Sequence, residues 1–287
     1  MRPTSSEINP HTWSMAARDA FKRHWRLYIF EGAELAIFMI SACFATVYLF
    51  DPSYPAFHLI PSAAIRRLLM GVAMGATAVL IIHSPMGKRS GAHFNPAITL
   101  SYFRLGKIAA WDAMFYVVFQ FIGGVFGVAV SAIVLGNSLA APTADYAVTV
   151  PGHYGTAAAF FAEFFMSTLL MGSVLWFSNR PSLANYTGYL VGILITLYVL
   201  FFAPVSGFSI NPARTTGSAV FAGVWTAAWL YFTAPLLGMI GAAEVYLRIY
   251  GPAGVLCAKL HPDARYPCPF ICHYPLHRHR IDPVVEG

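Results

Sequence analysis

Gly91-Ala92-His93-Phe94-Asn95-Pro96-Ala97 in the first half of the chain and Gly207-Phe208-Ser209-Ile210-Asn211-Pro212-Ala213-Arg214 in the second decide how the rest is read. Pro fits the first helical position, where a missing N–H costs nothing, and Asn before it is a favoured N-cap. Each Asn-Pro-Ala therefore predicts a helix start, with helices over 95–104 and 211–222. At about 1.5 Å per residue neither crosses the roughly 30 Å of a bilayer's hydrocarbon core.

Outward from these two segments the sequence is apolar and nearly free of charge. The 287 residues are 57% hydrophobic and 10% charged, against roughly 25% charged in soluble domains. Apolar stretches at 28–50, 65–83, 111–135, 157–177, 186–203 and 227–250 are each long enough to span as helices. The prediction is an all-α membrane protein with six transmembrane helices and two re-entrant half-helices, and no signal peptide precedes the first span. The net charge of +6 does not indicate nucleic acid, because the basic residues lie between apolar stretches and not on one face.

The two halves match. A span with Ala33-Glu34 precedes the first Asn-Pro-Ala, and a span with Ala162-Glu163 precedes the second. Three spans per half put the second copy upside down, an inverted repeat with repeat one over 28–135 and repeat two over 157–250. Residues 1–27 and 251–287 read as tails. All basic residues except Arg66, Arg67 and Arg214 fall on the side of the two tails, which predicts cytoplasmic termini.

Half-helices entering from opposite faces bring two positive N-terminal dipole ends together at mid-membrane, and irregular backbone there needs a watery cavity or buried partners. A pore follows. Arg214, one turn inside the second half-helix, offers five fixed donors and a permanent charge that repels cations. Glu34 and Glu163 read as buried acceptors for the backbone N–H groups left unpaired in the bends 84–95 and 204–211, and His93 as a support beside the first half-helix. Gly71/Gly75, Gly123/Gly127 and Gly188/Gly192 read as helix contacts.

With the glycine-flanked Asn-Pro-Ala motifs, the half-helix arginine, the paired glutamates and Gln120-Phe121-Ile122-Gly123-Gly124, the sequence resembles the major intrinsic protein family, the aquaporins and aquaglyceroporins, over 28–250. The resemblance implies passive conduction of water and small neutral solutes, such as polyols or metalloid hydroxides. It also implies a homotetramer in the cell membrane with one pore per subunit, and it requires no cofactor for transport. Counted as in the family, the outer selectivity ring falls at Gly75, Val199, Phe208 and Arg214, with Ala76 replacing Gly75 if one residue is gapped. Gly75 and Val199 stand where water-selective members place an aromatic and a histidine, which predicts a wide ring. The alternatives are a strictly water-selective pore, an ion-coupled transporter built on the same repeat, and a membrane scaffold for the tail. No nucleophile–base pair or nucleotide loop suggests an enzyme.

The tail lies outside the resemblance. Cys257, His261, Cys268 and Cys272 compose a four-ligand set suited to Zn²⁺, and the alternative is a basic tail with incidental cysteines. His277 and His279 follow.

Overall fold

A computed structural model of the chain describes residues 10–274, with side chains from Ser14 onward. Arg2, His277, Arg278, His279 and Arg280 lie outside the described residues. Eight principal helices follow in order: α1 Pro10–Phe50, α2 Ala63–His83, α3 Pro96–Arg104, α4 Ala110–Leu135, α5 Gly155–Ser178, α6 Thr187–Ser206, α7 Pro212–Ala222 and α8 Ala228–Tyr250. No strand occurs among the described residues. Six of these helices are long and apolar enough to cross a membrane. The half-helices α3 and α7, of 9 and 11 residues, are not.

The helix pairing carries the inverted symmetry. α1 packs on α4 and α5 on α8, and α2 packs on its own counterpart α6. Small residues permit the close approach at these seams. A Cβ on Gly123 would collide with the Gly32 carbonyl, and one on Gly75 with the Gly192 carbonyl, so the backbones meet where side chains are lacking. Large apolar side chains such as Leu80, Ile122, Ile133 and Phe161 point outward from the bundle, as a lipid-facing surface requires.

The first helix begins at Pro10, well before the apolar run that opens repeat one. Residues 10–27 are polar but rich in good helix formers, so the end of apolarity is not the end of the helix. This extension is tied to α4. His24 Nδ1 lies 2.9 Å from Asp112 Oδ1, and the Tyr28 hydroxyl donates to the same oxygen at 2.6 Å.

After α8 the chain does not leave the bundle. Residues 255–274 cross the face on which α1 begins and α8 ends, here called the terminal face. The Leu260 N–H donates to Gly91 O, the Ile271 N–H to Lys107 O, and the His273 N–H back to Leu256 O. Lys88 Nζ pairs with Asp263 Oδ2 at 3.1 Å.

Candidate pore and its constriction

The bends ahead of the half-helices are nearly superimposable in chemistry. Gly91, Ala92 and Phe94 in the first, and Gly207, Phe208 and Ile210 in the second, have positive φ, a region costly for residues with a Cβ and especially for Ile. Such backbone leaves its N–H groups pointing away from any helix ladder, and a buried carboxylate collects them. In repeat two Glu163 accepts from the N–H groups of Ser209 and Ile210 and from the Ser206 hydroxyl.

In repeat one that duty falls to Glu31, which the sequence reading overlooked. Its carboxylate accepts from the His93 N–H at 2.9 Å, the Phe94 N–H at 2.6 Å and the Gln120 amide at 2.8 Å. Glu34 corrects the expectation. Among the described residues it takes only the Ser90 hydroxyl, at 2.8 Å, and its buried Oε2 has no hydrogen-bond partner. The shared Ala-Glu dipeptides suggest the pairing Glu34/Glu163, but one helical turn separates the carboxylate that takes the bend's N–H groups from the one that takes the Ser90 hydroxyl.

At the meeting point each Asn caps its own half-helix and braces the other. Asn95 Oδ1 accepts from the Ala97 N–H, while its Nδ2 donates to Ile210 O at 2.8 Å. Asn211 Oδ1 accepts from the Ala213 and Arg214 N–H groups, and its Nδ2 donates to Phe94 O at 2.8 Å. Pro96 and Pro212 take the first helical positions behind them. Each amide has two hydrogens, so one per Asn remains for another acceptor.

Two cavities meet here. The outer one, about 350 Å³, is lined by Phe38, Arg67, Met74, Val199, Phe208 and Arg214 among others. The inner one, about 30 Å³, is lined by Asn95, Asn211, Ile98, Val191, Ile195 and Leu260, and it shares Phe38 and Phe208 with the outer. Those two rings mark the neck. The inner volume matches two or three waters, since about 10–15 Å³ is needed for each. Arg214 is buried beside the neck, and its Nη1 has no protein acceptor among the described residues.

Val199, Phe208 and Arg214 thus line the outer cavity, and Gly75 does not. Gly75 faces the backbone of α6 at Gly192, and Ala76 is exposed on the outside of the bundle. Met74 takes the wall position. Consecutive helical residues differ by about 100° around the axis, so counting back from Asn95 places the element correctly and the facing residue one position off. Phe38 and Arg67 were equally illegible without the packing of α1 and α2.

His93 is fully buried and joins the first half-helix to residues 255–274, the terminal strap. Its Nδ1 lies 3.1 Å from Thr99 Oγ1 and its Nε2 2.7 Å from Ala258 O. A carbonyl only accepts, so the proton sits on Nε2. Tyr102 and Phe270 stack on its ring, the latter at 5.6 Å and 6°.

In the strap, the sulfurs of Cys257, Cys268 and Cys272 lie within 4.8 Å of one another, and Cys257 and Cys268 approach to 3.3 Å. His261 is not with them, which corrects the expected four-ligand set. It is buried against His83, with ring centroids 4.6 Å apart, because the backbone at 258–261 is committed to the pore mouth through Ala258 and Leu260. Burial, with His83 and Lys88 nearby, pushes His261 down to about 4. Asp263 is held below the usual carboxylate range by its hydrogen bonds to Arg265 and Lys88.

The family model for the major intrinsic protein matches residues 23–246. The chain belongs to the major intrinsic protein family. Among curated relatives it is 34% identical over 180 residues to the probable aquaporin NIP7-1 of Arabidopsis thaliana, covering 62% of this chain and 63% of that protein. It is 26% identical to Aquaporin Z of Photorhabdus laumondii, covering 66% and 86%. The chain thus spans less than two thirds of NIP7-1. The X-ray structure of the aquaglyceroporin from Plasmodium falciparum superimposes with a TM-score of 0.65 at 18% identity, covering 80% of this chain and 98% of that one. This major intrinsic protein accordingly shares the fold of six spans and two half-helices, and its strap at 255–274 lies beyond the matched region.

Proposed function

We propose that the chain is a passive channel for water and small uncharged solutes, and not an enzyme or a pump. The carrying observation is the pair of half-helix N-termini at Asn95 and Asn211, cross-braced to Ile210 O and Phe94 O, opening on a neck where Arg214 Nη1 has no acceptor among the described residues. Two dipole ends of about half a positive charge each, with a guanidinium beside them, repel cations and supply donors to the oxygen of water or a hydroxyl. The apolar wall of Phe38, Met74, Val199 and Phe208 suits the carbon face of a small polyol, and the names of the aquaporin relatives and of the aquaglyceroporin are consistent with both solute types.

The basic residues support a cytoplasmic terminal face. Among described residues that side carries Arg18, Lys22, Arg23, Arg26, Lys88, Arg89, Arg104, Lys107, Arg180, Arg248, Lys259 and Arg265, and the other only Arg66, Arg67 and Arg214. The family resemblance supports a homotetramer in the cell membrane.

Stopped-flow light scattering of proteoliposomes tests the reading. Water and at least one of glycerol, urea or boric acid should pass faster than in empty vesicles, with no current under an applied potential. Exclusion of all three solutes would leave a water-selective pore. Uptake that follows a proton or sodium gradient would overturn the passive mechanism.

A further inference from the structure

The strap is built as a closed loop. Cys257 stands at its start and Cys268 and Cys272 beyond its far end, and the residues between carry Ala258 to His93 and Leu260 to the pore. Leu260 is 1% exposed and lines the inner cavity together with both Asn residues. Gly91, whose carbonyl receives the Leu260 N–H, has no room for a Cβ because the Phe270 ring of the same strap covers it. The mouth is therefore covered by a segment whose two ends converge on three thiols.

We propose that Cys257, Cys268 and Cys272 form a three-thiolate site for a thiophilic d¹⁰ cation, Zn²⁺ or Cu⁺, and that filling it locks Leu260 into the terminal end of the pore and closes the channel. The gating half rests on the channel reading above. Sulfurs about 2.3 Å from one ion stand about 3.8 Å apart, within the 3.3–4.8 Å span of this cluster. Cys257 is buried while Cys268 and Cys272 are half-buried, which leaves the ion a way in. Thiolates are soft donors that select such ions over Mg²⁺ or Ca²⁺. On binding, each thiol gives its proton to solvent and its lone pair to the metal, and no electron changes hands.

Charge supplies an independent argument. Lys259 is fully buried, and among the described residues its ammonium donates to the Tyr266 and Pro267 carbonyls. Lys107 is buried too, with Nζ 3.1 Å from His273 Nδ1. The nearby carboxylate, Asp263, is engaged by Lys88 and Arg265. A buried ammonium needs a countercharge. Three thiolates around a mono- or divalent cation carry a net negative charge beside both lysines.

Full-length protein purified without a polyhistidine tag is exposed to Zn²⁺ or to Cu⁺ under glutathione, desalted, and assayed for metal and for vesicle permeability. One equivalent per chain of at least one ion is expected, lost in the C257S/C268S/C272S variant, with Cys272→Ser as the fallback if the triple variant misfolds. Water flux should be about five-fold or more lower in the loaded than in the chelated protein, and Leu260→Ala should abolish that difference. Absence of both ions from wild type, equal binding by the serine variants, or a Cys257–Cys268 disulfide under glutathione would overturn the site. Bound metal with unchanged flux would overturn the gate. Chelated protein no more permeable than empty vesicles, with one metal per chain, would instead refute the channel reading and leave the site intact.

Discussion

Glu31 and Glu34 sit one helical turn apart, both fully buried, yet their replacement by Gln should have very different consequences. Glu31 serves three donors: two N–H groups of a bend with positive φ at Phe94, and the Gln120 amide. In Glu31→Gln the retained oxygen can turn to the Phe94 N–H and the Gln120 amide, which share one carboxylate oxygen, and the new NH₂ then meets the His93 N–H, donor against donor. Leaving that buried donor unsatisfied costs about 1–3 kcal/mol. Glu34→Gln keeps its acceptor for the Ser90 hydroxyl and exchanges Oε2, which has no partner among the described residues, for an amide nitrogen in the same place, so it should cost less than about 1 kcal/mol. Thermal unfolding of the detergent-solubilised protein, followed by tryptophan fluorescence, should place Glu31→Gln about 2–12 °C below wild type and below Glu34→Gln, taking about 2–4 °C per kcal/mol. Equal losses, or a larger loss in Glu34→Gln, would refute the assignment of the brace to Glu31.

Met74→Ala should raise glycerol permeability in vesicle swelling, because Met74 lines the outer cavity, whereas Gly75→Ala should lower thermal stability by forcing α2 away from the Gly192 carbonyl. Arg214→Ala removes the cation at the neck, and electrical recording should find weaker exclusion of small cations than in wild type. Acidification should loosen the strap. His261 is buried with its titration pushed from 6.5 down to about 4 by burial, His83 and Lys88, so the folded strap binds fewer protons than the free one. Its contribution is complete above about pH 6.5 and is lost as pH falls toward 4, while Asp263, held low by Arg265, stays ionised alongside Lys88. Water flux should therefore rise between pH 7 and 5 in wild type and change little in Leu260→Ala.

Much of this architecture is local and so was written in the chain. Asn before Pro caps and starts a helix whatever surrounds it, which is why the half-helices begin at Pro96 and Pro212 as expected from sequence. Apolar length set the six spans, and an odd number per repeat required the inversion. What the sequence could not set was rotation about each helix axis. Glu31 or Glu34, Met74 or Gly75, is a question of which face of α1 or α2 turns inward, and that depends on where Gly32 meets Gly123 and Gly75 meets Gly192. The strap posed the same problem in sharper form. Its cysteines were visible as potential ligands, but which residues stood beside them was not, because no periodicity ties an irregular segment to a surface. Only the docking of Ala258 on His93 and of Leu260 on Gly91 decided that three thiols converge while His261 turns away to His83, since hydrogen bonds to a distant bend fix the loop's path and leave each side chain whatever direction that path allows.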